Sequence, residues 1–226
     1  MKSILTLLFV ICGFLLFAQQ TETRSLASFS GVKAAEGIDV YLTKGTKESA
    51  RVEVSGTSLE DVITEVSGSY LKVHMRHSNY RGHVNVKVYV TYLNINKLSA
   101  SSAASIYSEG TLNTRELEVS ASSAANVEIN VDAGSIRASA SSAGEVELDG
   151  KAESFEGDAS SAGEIDAYDL VAKRVEVDAS SAGSIKITAT DELDARASSG
   201  GSIRYRGNPN KSVTKSTSGG SVKKSN

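Results

Sequence analysis

Three histidines, His74, His77 and His83, are the side chains of this sequence that could act as a neutral-pH base for a serine nucleophile. His74 and His77 lie three apart in a run of alternating apolar residues, SYLKVHMRH, so on a strand they face opposite ways. No His-Glu-x-x-His, Gly-x-Ser-x-Gly or phosphate-binding loop occurs. The histidines therefore read as partly exposed strand positions, and no catalytic residue is expected.

Carboxylates are the second set with chemical potential. Glu128, Glu147 and Asp166 recur at a spacing of nineteen residues, and so do Glu145 and Glu164. Glu156, Asp158, Glu176 and Asp178 form a second recurring group. Stacked carboxylates could form a solvated acidic face, hold calcium through several oxygens, or serve as the acid–base pair of a glycan-cleaving enzyme. The Gly-rich nonapeptide that marks calcium-binding β-rolls is absent. There is no Trp, and only Tyr107, Tyr168 and Tyr205 fall in this part of the chain, which leaves no aromatic cleft for a sugar. The expectation is a solvated acidic ligand face made of Glu128, Glu145, Glu147, Glu164 and Asp166, with no cofactor and calcium as the alternative.

The element that must position these residues is a repeat. The phrase ASSAASI at Ala100 returns as ASSAANV at Ala121, ASSAGEV at Ala140, ASSAGEI at Ala159, ASSAGSI at Ala179 and ASSGGSI at Ala197. A degenerate copy, STSGGSV, begins at Ser216. The flanks alternate: Val175, Val177 and Ala179 precede one turn of the repeat, and Ile185 and Ile187 follow. Period two means strand, with one face in and one out. A strand unit of this length cannot bury its inner face alone, and stacking each unit on the next solves that problem. The fold expected is all-β: a single-stranded, right-handed β-helix, or β-solenoid, of narrow cross-section. The aliphatic residue every six positions that marks left-handed hexapeptide solenoids is missing. Counting by two through the phrase also points its second serine inward. An inward ladder of Ser102, Ser123, Ser142, Ser161, Ser181 and Ser199 follows, with hydroxyls bonding one another up the column.

Residues 28–98 differ. Their runs FSGVKAAEGIDVYLTKG, ARVEVSG and HVNVKVYVTY carry larger apolar residues and read as ordinary strands, an N-terminal β segment continuous with the solenoid that covers its open end. The division expected is a signal peptide over 1–18, a short linker over 19–27, this segment, the repeats over 99–222, and a basic tail over 223–226. MKSILTLLFVICGFLLFAQQ has the charged start, apolar run and small residue at Ala18 of an export leader. Ile11 before Cys12 does not fit a lipid-attachment site. Once the leader is cut, no cysteine remains, no membrane span is expected, and the net charge of −3 becomes −4 with the loss of Lys2. That balance does not suggest nucleic acid as a partner.

The opening FSGVKAAEGIDVYLTKG, the repeats and the closing SGGSIRYRGNPN, in that order, resemble the bacterial family called putative auto-transporter adhesin, head GIN domain, common in Bacteroidetes. The resemblance spans about residues 28 to 222 and implies a secreted β-helical protein. It brings no catalytic or binding residue. An auto-transporter carries a C-terminal membrane barrel, which is not seen up to Asn226, so self-export is not expected. Taken together, the sequence suggests an exported, non-enzymatic rod for adhesion or scaffolding, in the periplasm, at the outer surface or outside the cell. Its partner would be a glycan or surface protein, or another copy in a homo-oligomer. A carbohydrate-active β-helix and a ligand-free envelope component are the alternatives.

Overall fold

The computed structural model describes residues 20–77 and 84–225. The leader, His83 and Asn226 lie outside the described residues. The strands are β1 (Gln20–Ser25), β2 (Gly31–Ala34), β3 (Asp39–Lys44), β4 (Ser49–Ser55), β5 (Val62–Ser67), β6 (Tyr70–Met75), β7 (Asn85–Tyr92) and β8 (Lys97–Ala100). They continue as β9 (Ser105–Ser122), β10 (Asn126–Ser141), β11 (Glu145–Ala159), β12 (Glu164–Ala179), β13 (Ser184–Ala197), β14 (Ser202–Arg206), β15 (Lys211–Ser216) and β16 (Ser221–Lys224).

From β9 to β14 each strand pairs in parallel with the next, β15 then stacks on β13 and β16 on β14, and equivalent residues of successive repeats face each other: Val127 with Val146, Phe155 with Val175, Ala179 with Ala197. This is a β-solenoid, as the repeat implied. The tube is filled by small and branched residues. In β12 the inward set is Ile165, Ala167, Leu170, Ala172, Val175, Val177 and Ala179, all buried. Alternation slips at Tyr168–Asp169 and again at Lys173–Arg174, where two successive side chains face out and the ladder shifts register. Those slips are corners. With the turn at the repeat phrase they divide each coil into two long walls, one after the turn and one before it.

The phrase itself is a tight turn, not a continuation of strand. Its second serine and the following residue both take left-handed backbone, with Ser161 at φ 51° and Ala162 at φ 60°. The Gly163 amide donates to the Ser160 carbonyl at 2.8 Å and closes the turn. Two positive φ values in succession suit a two-residue reversal, but they strain non-glycine residues by about 1–2 kcal/mol each. Stacking holds them: the Ala162 amide turns along the rod and donates to the Ser181 carbonyl of the next coil at 3.1 Å, and the same bond recurs from Ala103, Ala124, Ala143 and Ala182.

This geometry corrects the expected serine ladder. Ser102, Ser123, Ser142, Ser161, Ser181 and Ser199 are all exposed, with φ between 49° and 55°. Left-handed backbone swings their side chains out of the tube. The inward small residues are the first and fifth of the phrase, such as Ala159 and Gly163. A Cβ on Gly163 would lie 2.3 Å from the Ala140 carbonyl oxygen, so in this coil the neighbouring coil's backbone occupies that space, while the first two phrases carry the smallest side chain there, Ala104 and Ala125.

The N-terminal segment holds two further coils out of sequence order. β2 and β3 pair with β8 and β9 on one side and with β6 and β7 on the other. AAEGI makes the repeat turn here, with Glu36 and Gly37 left-handed and the Gly37 amide on the Ser102 carbonyl at 3.0 Å. Antiparallel strands finish this end: β4 on β7, β1 on β4, and β5 on β6. Residues 20–25, expected as linker, are therefore a strand. Arg24 of β1 reaches across the tube mouth to the carbonyls of Leu59 and Val62, at 2.7 and 2.6 Å, and pairs with Glu22 at 2.7 Å. An inward-pointing charge on an edge strand discourages uncontrolled pairing there. At the other end, Lys223 and Lys224, expected in a tail, complete β16.

Candidate functional site

Because every coil repeats in register, each outward position becomes a column along the rod. On the wall after the turn, one column runs Tyr89, Tyr41, Tyr107, Glu128, Glu147, Asp166, Lys186, Arg204, Lys223. The three tyrosines stack at centroid separations of 5.1 and 5.2 Å and near-parallel planes. Arg51 lies 3.9 Å over the outer face of Tyr89. Ring faces are largely used within this stack, so it is not an open platform for a sugar. The neighbouring column holds Asn126, Glu145, Glu164 and Ser184.

The five carboxylates expected to form an acidic face do gather on this wall. Glu128 faces Glu147, Glu147 faces Asp166, and Glu145 faces Glu164 across adjacent coils. Lys186 closes the lower end, with Nζ 2.7 Å from Asp166 and 2.9 Å from Glu164. Hydrogen bonds to Asp166 and then Glu164 hold the Lys186 ammonium well above the ordinary lysine range. Among the described residues, no ion pair reaches Glu128, Glu145 or Glu147. Partial burial, followed by the charges of Glu128, Asp149, Asp166 and Glu145, pushes the Glu147 carboxyl up. No group of three or more His, Cys, Asp or Glu among the described residues is placed to hold a metal ion.

The wall before the turn treats charge differently. Lys97 pairs with Glu118 at 3.1 Å and Arg137 with Glu156 at 2.8 Å. Arg196 bridges Glu176, Asp178 and Asp194. Asp158 stands apart: burial first, then the Asp178 and Glu156 charges, push its carboxyl up against the opposing pull of Arg137. A shallow groove of about 400 Å³ runs along this wall over Phe155 and Leu193, bordered by Ser154, Glu156, Arg174 and Lys211. Of its carboxylates, Glu156, Glu176 and Asp194 are engaged by arginines, which leaves Glu192 without a second free carboxylate to form an acid–base pair.

His74 lies on β6 with Nδ1 2.9 Å from the Met75 carbonyl oxygen, to which it donates, and not on a serine. Sequence reasoning missed the contributions of Tyr41 and Tyr89 to the column. The signal was there in part: AAEGIDVY aligns with ASSAASIY and puts Tyr41 over Tyr107. It also missed Arg137 and Arg196, because pairing along a column shows only once the register is fixed.

A narrow tube of parallel coils with long, polar, column-patterned walls defines a β-solenoid with surfaces instead of an enclosed cleft. The chain belongs to the family described as putative auto-transporter adhesin, head GIN domain, whose family model matches residues 28–209. Among solved structures it is similar to a putative adhesin from Bacteroides fragilis, with 22% identity, a TM-score of 0.82, and coverage of 92% of this chain and 97% of that one. It is also similar to a putative lipid binding protein from Parabacteroides distasonis, at 18% identity and a TM-score of 0.67 with the same coverages. A putative adhesin from Parabacteroides merdae matches at 19% identity and a TM-score of 0.64, covering 92% and 96%. At these identities the likeness establishes the fold. No protein with a curated description matches the sequence. Among the described residues, no helix is long and apolar enough to cross a membrane.

Proposed function

We propose that this protein is an exported, non-enzymatic adhesion or scaffolding rod whose contact surface is the acidic part of the wall after the turn. One observation carries the reading: Glu128, Glu145 and Glu147 are stacked on like charges without a cation, an arrangement that costs stability and that the fold does not require. The opposite wall has the same backbone and sets arginines among its carboxylates, Asp158 being the exception. A partner presenting cationic or hydrogen-bonding groups at the coil spacing of about 4.8 Å would match the wall. Family membership and adhesin relatives support the adhesive role. The partner class is a glycan or a surface protein, and the place of action is the cell envelope or outside it. Calcium would enter as a bridge between the wall and the partner.

The test is capture of the chain Gln19–Asn226 on arrayed glycans and matrix proteins, with calcium and with EDTA. Specific capture supports adhesion, and loss of capture in EDTA assigns calcium a bridging role. Silence in both conditions favours an envelope component without a ligand. Turnover of a polysaccharide would instead establish the carbohydrate-active alternative.

A further inference from the structure

Among the described residues, both ends of the rod present two strands with one free edge each. At the N-terminal end these are β1, bonded only to β4, and β5, bonded only to β6. At the C-terminal end they are β16, bonded only to β14, and β15, bonded only to β13. Free edges are templates for another strand. The directions are compatible. β1 is antiparallel to β4, and β4 to β7, so β1 runs with the coils and with β16. β5 runs against β6 and therefore against β15, and both are six residues long. A second copy placed end to end could continue one wall by a parallel ladder and the other by an antiparallel one.

Charge is matched as well. After Asp194 the chain has no Asp or Glu, and its last two coils carry Arg204, Arg206, Lys211, Lys215, Lys223 and Lys224, all exposed. The opposite end carries Glu22 on β1, Glu60 and Asp61 in the short 3₁₀ turn, and Glu65 on β5, against Arg24 alone in those elements. Glu65 and Lys215 stand at the two ends of one outward column, so continuing the stack brings Lys215 of one copy to Glu65 of the next. Among the described residues, Glu65 has only a long 3.9 Å contact with Lys72 to satisfy it. Val213 is 50% exposed on the same free edge.

Much of the inward face at the two ends is polar, with Val62 and Val66 on β5 and Val222 on β16 as the apolar exceptions. Ser212, Thr214 and Ser216 replace the pattern Leu193, Ala195, Ala197, and Gln20, Glu22 and Arg24 stand opposite Val54, Val52 and Ala50. A junction of these ends would rest on backbone ladders and charge, with little apolar burial, and would come apart in salt. We propose that the basic C-terminal end of one copy binds the acidic N-terminal end of the next, adding copies head to tail. The contact is heterologous and runs along the rod axis, so growth is open-ended instead of closing at a dimer.

Sedimentation of the chain Gln19–Asn226 over a wide concentration range, at low and high ionic strength, tests this. The expected result is a mass that climbs past the dimer with concentration in low salt and returns to the monomer in high salt. Lys215→Glu and Glu65→Lys, both at exposed positions with unchanged circular dichroism, should each weaken association about tenfold or more. The double variant swaps the charges and should restore it. A monomer at every concentration, association that stops at two copies, or a double variant as weak as the singles would overturn the proposal. So would a non-associating monomer that binds vesicles of anionic phospholipid through its basic end, which would assign that end to a lipid surface.

Discussion

On the wall before the turn Arg137 sits between Glu118 and Glu156 and Arg196 gathers Glu176, Asp178 and Asp194, whereas on the wall after it Glu128 faces Glu147 and Glu145 faces Glu164, and among the described residues no cation pairs with Glu128, Glu145 or Glu147. The two walls share strands, register and core, so backbone geometry cannot explain the difference. In a parallel stack every outward side chain meets its own counterpart at about 4.8 Å, and a column of like charge is unfavourable unless the next coil supplies the opposite sign. The arginine wall supplies it. Asp158 apart, its charges are thus accounted for by stability, and those of Glu128, Glu145 and Glu147 are not.

The largest effect should come from breaking the feature both walls depend on. Gly163→Val places a side chain where Cβ alone would be 2.3 Å from the Ala140 carbonyl oxygen, and should cost about 3 kcal/mol in urea unfolding. A loss well under 1 kcal/mol would show that coils separate easily and that the columns are not held in register. Next, Arg196→Met leaves Glu176, Asp178 and Asp194 facing one another, and should lower the melting temperature by a few degrees. On the acidic wall the sign reverses: Glu147→Gln removes a like charge and should raise stability by about 0.5 kcal/mol, while Glu176→Gln on the arginine wall should not stabilise. Equal responses of the two walls would erase the distinction.

The smallest effect is on pH dependence. The Glu147 and Asp158 carboxyls are raised in the folded chain, so there the native state binds more protons than the unfolded one just above the ordinary carboxylate range. Stability should therefore rise slightly as pH falls from neutrality toward that range. Glu147→Gln should flatten the rise more than Glu176→Gln does. A steady fall in stability across the same window would mean that the ion pairs of the arginine wall dominate instead.

The solenoid was readable because its repeat imposes both a length and a phase: seven phrases and the alternation of residues such as Val175, Val177, Ile185 and Ile187 define coil and inner face. The carboxylate columns followed from the same spacing. The serine ladder did not, because period two holds only while the backbone stays extended, and two left-handed residues in each phrase reset the count. Small residues such as Ser161 and Ala162 carry no sequence mark of positive φ, as Asn or Gly would have done. β1 escaped notice because QTETRS is polar on both faces, its inward charges serving to close an end. The out-of-order coils of β2–β3 and β6–β7 were hidden because strand pairing across a hairpin insertion leaves no periodic signal.

The most direct measurement compares two variants of the chain Gln19–Asn226 on the same glycan and matrix-protein array. One converts Glu128, Glu145 and Glu147 to Gln, and the other converts Glu156, Glu176 and Asp178 on the arginine wall to their amides. Capture seen with the unaltered chain should be lost in the first variant and kept in the second. Capture that survives the first variant, or is lost only in the second, would contradict the acidic wall as the contact surface.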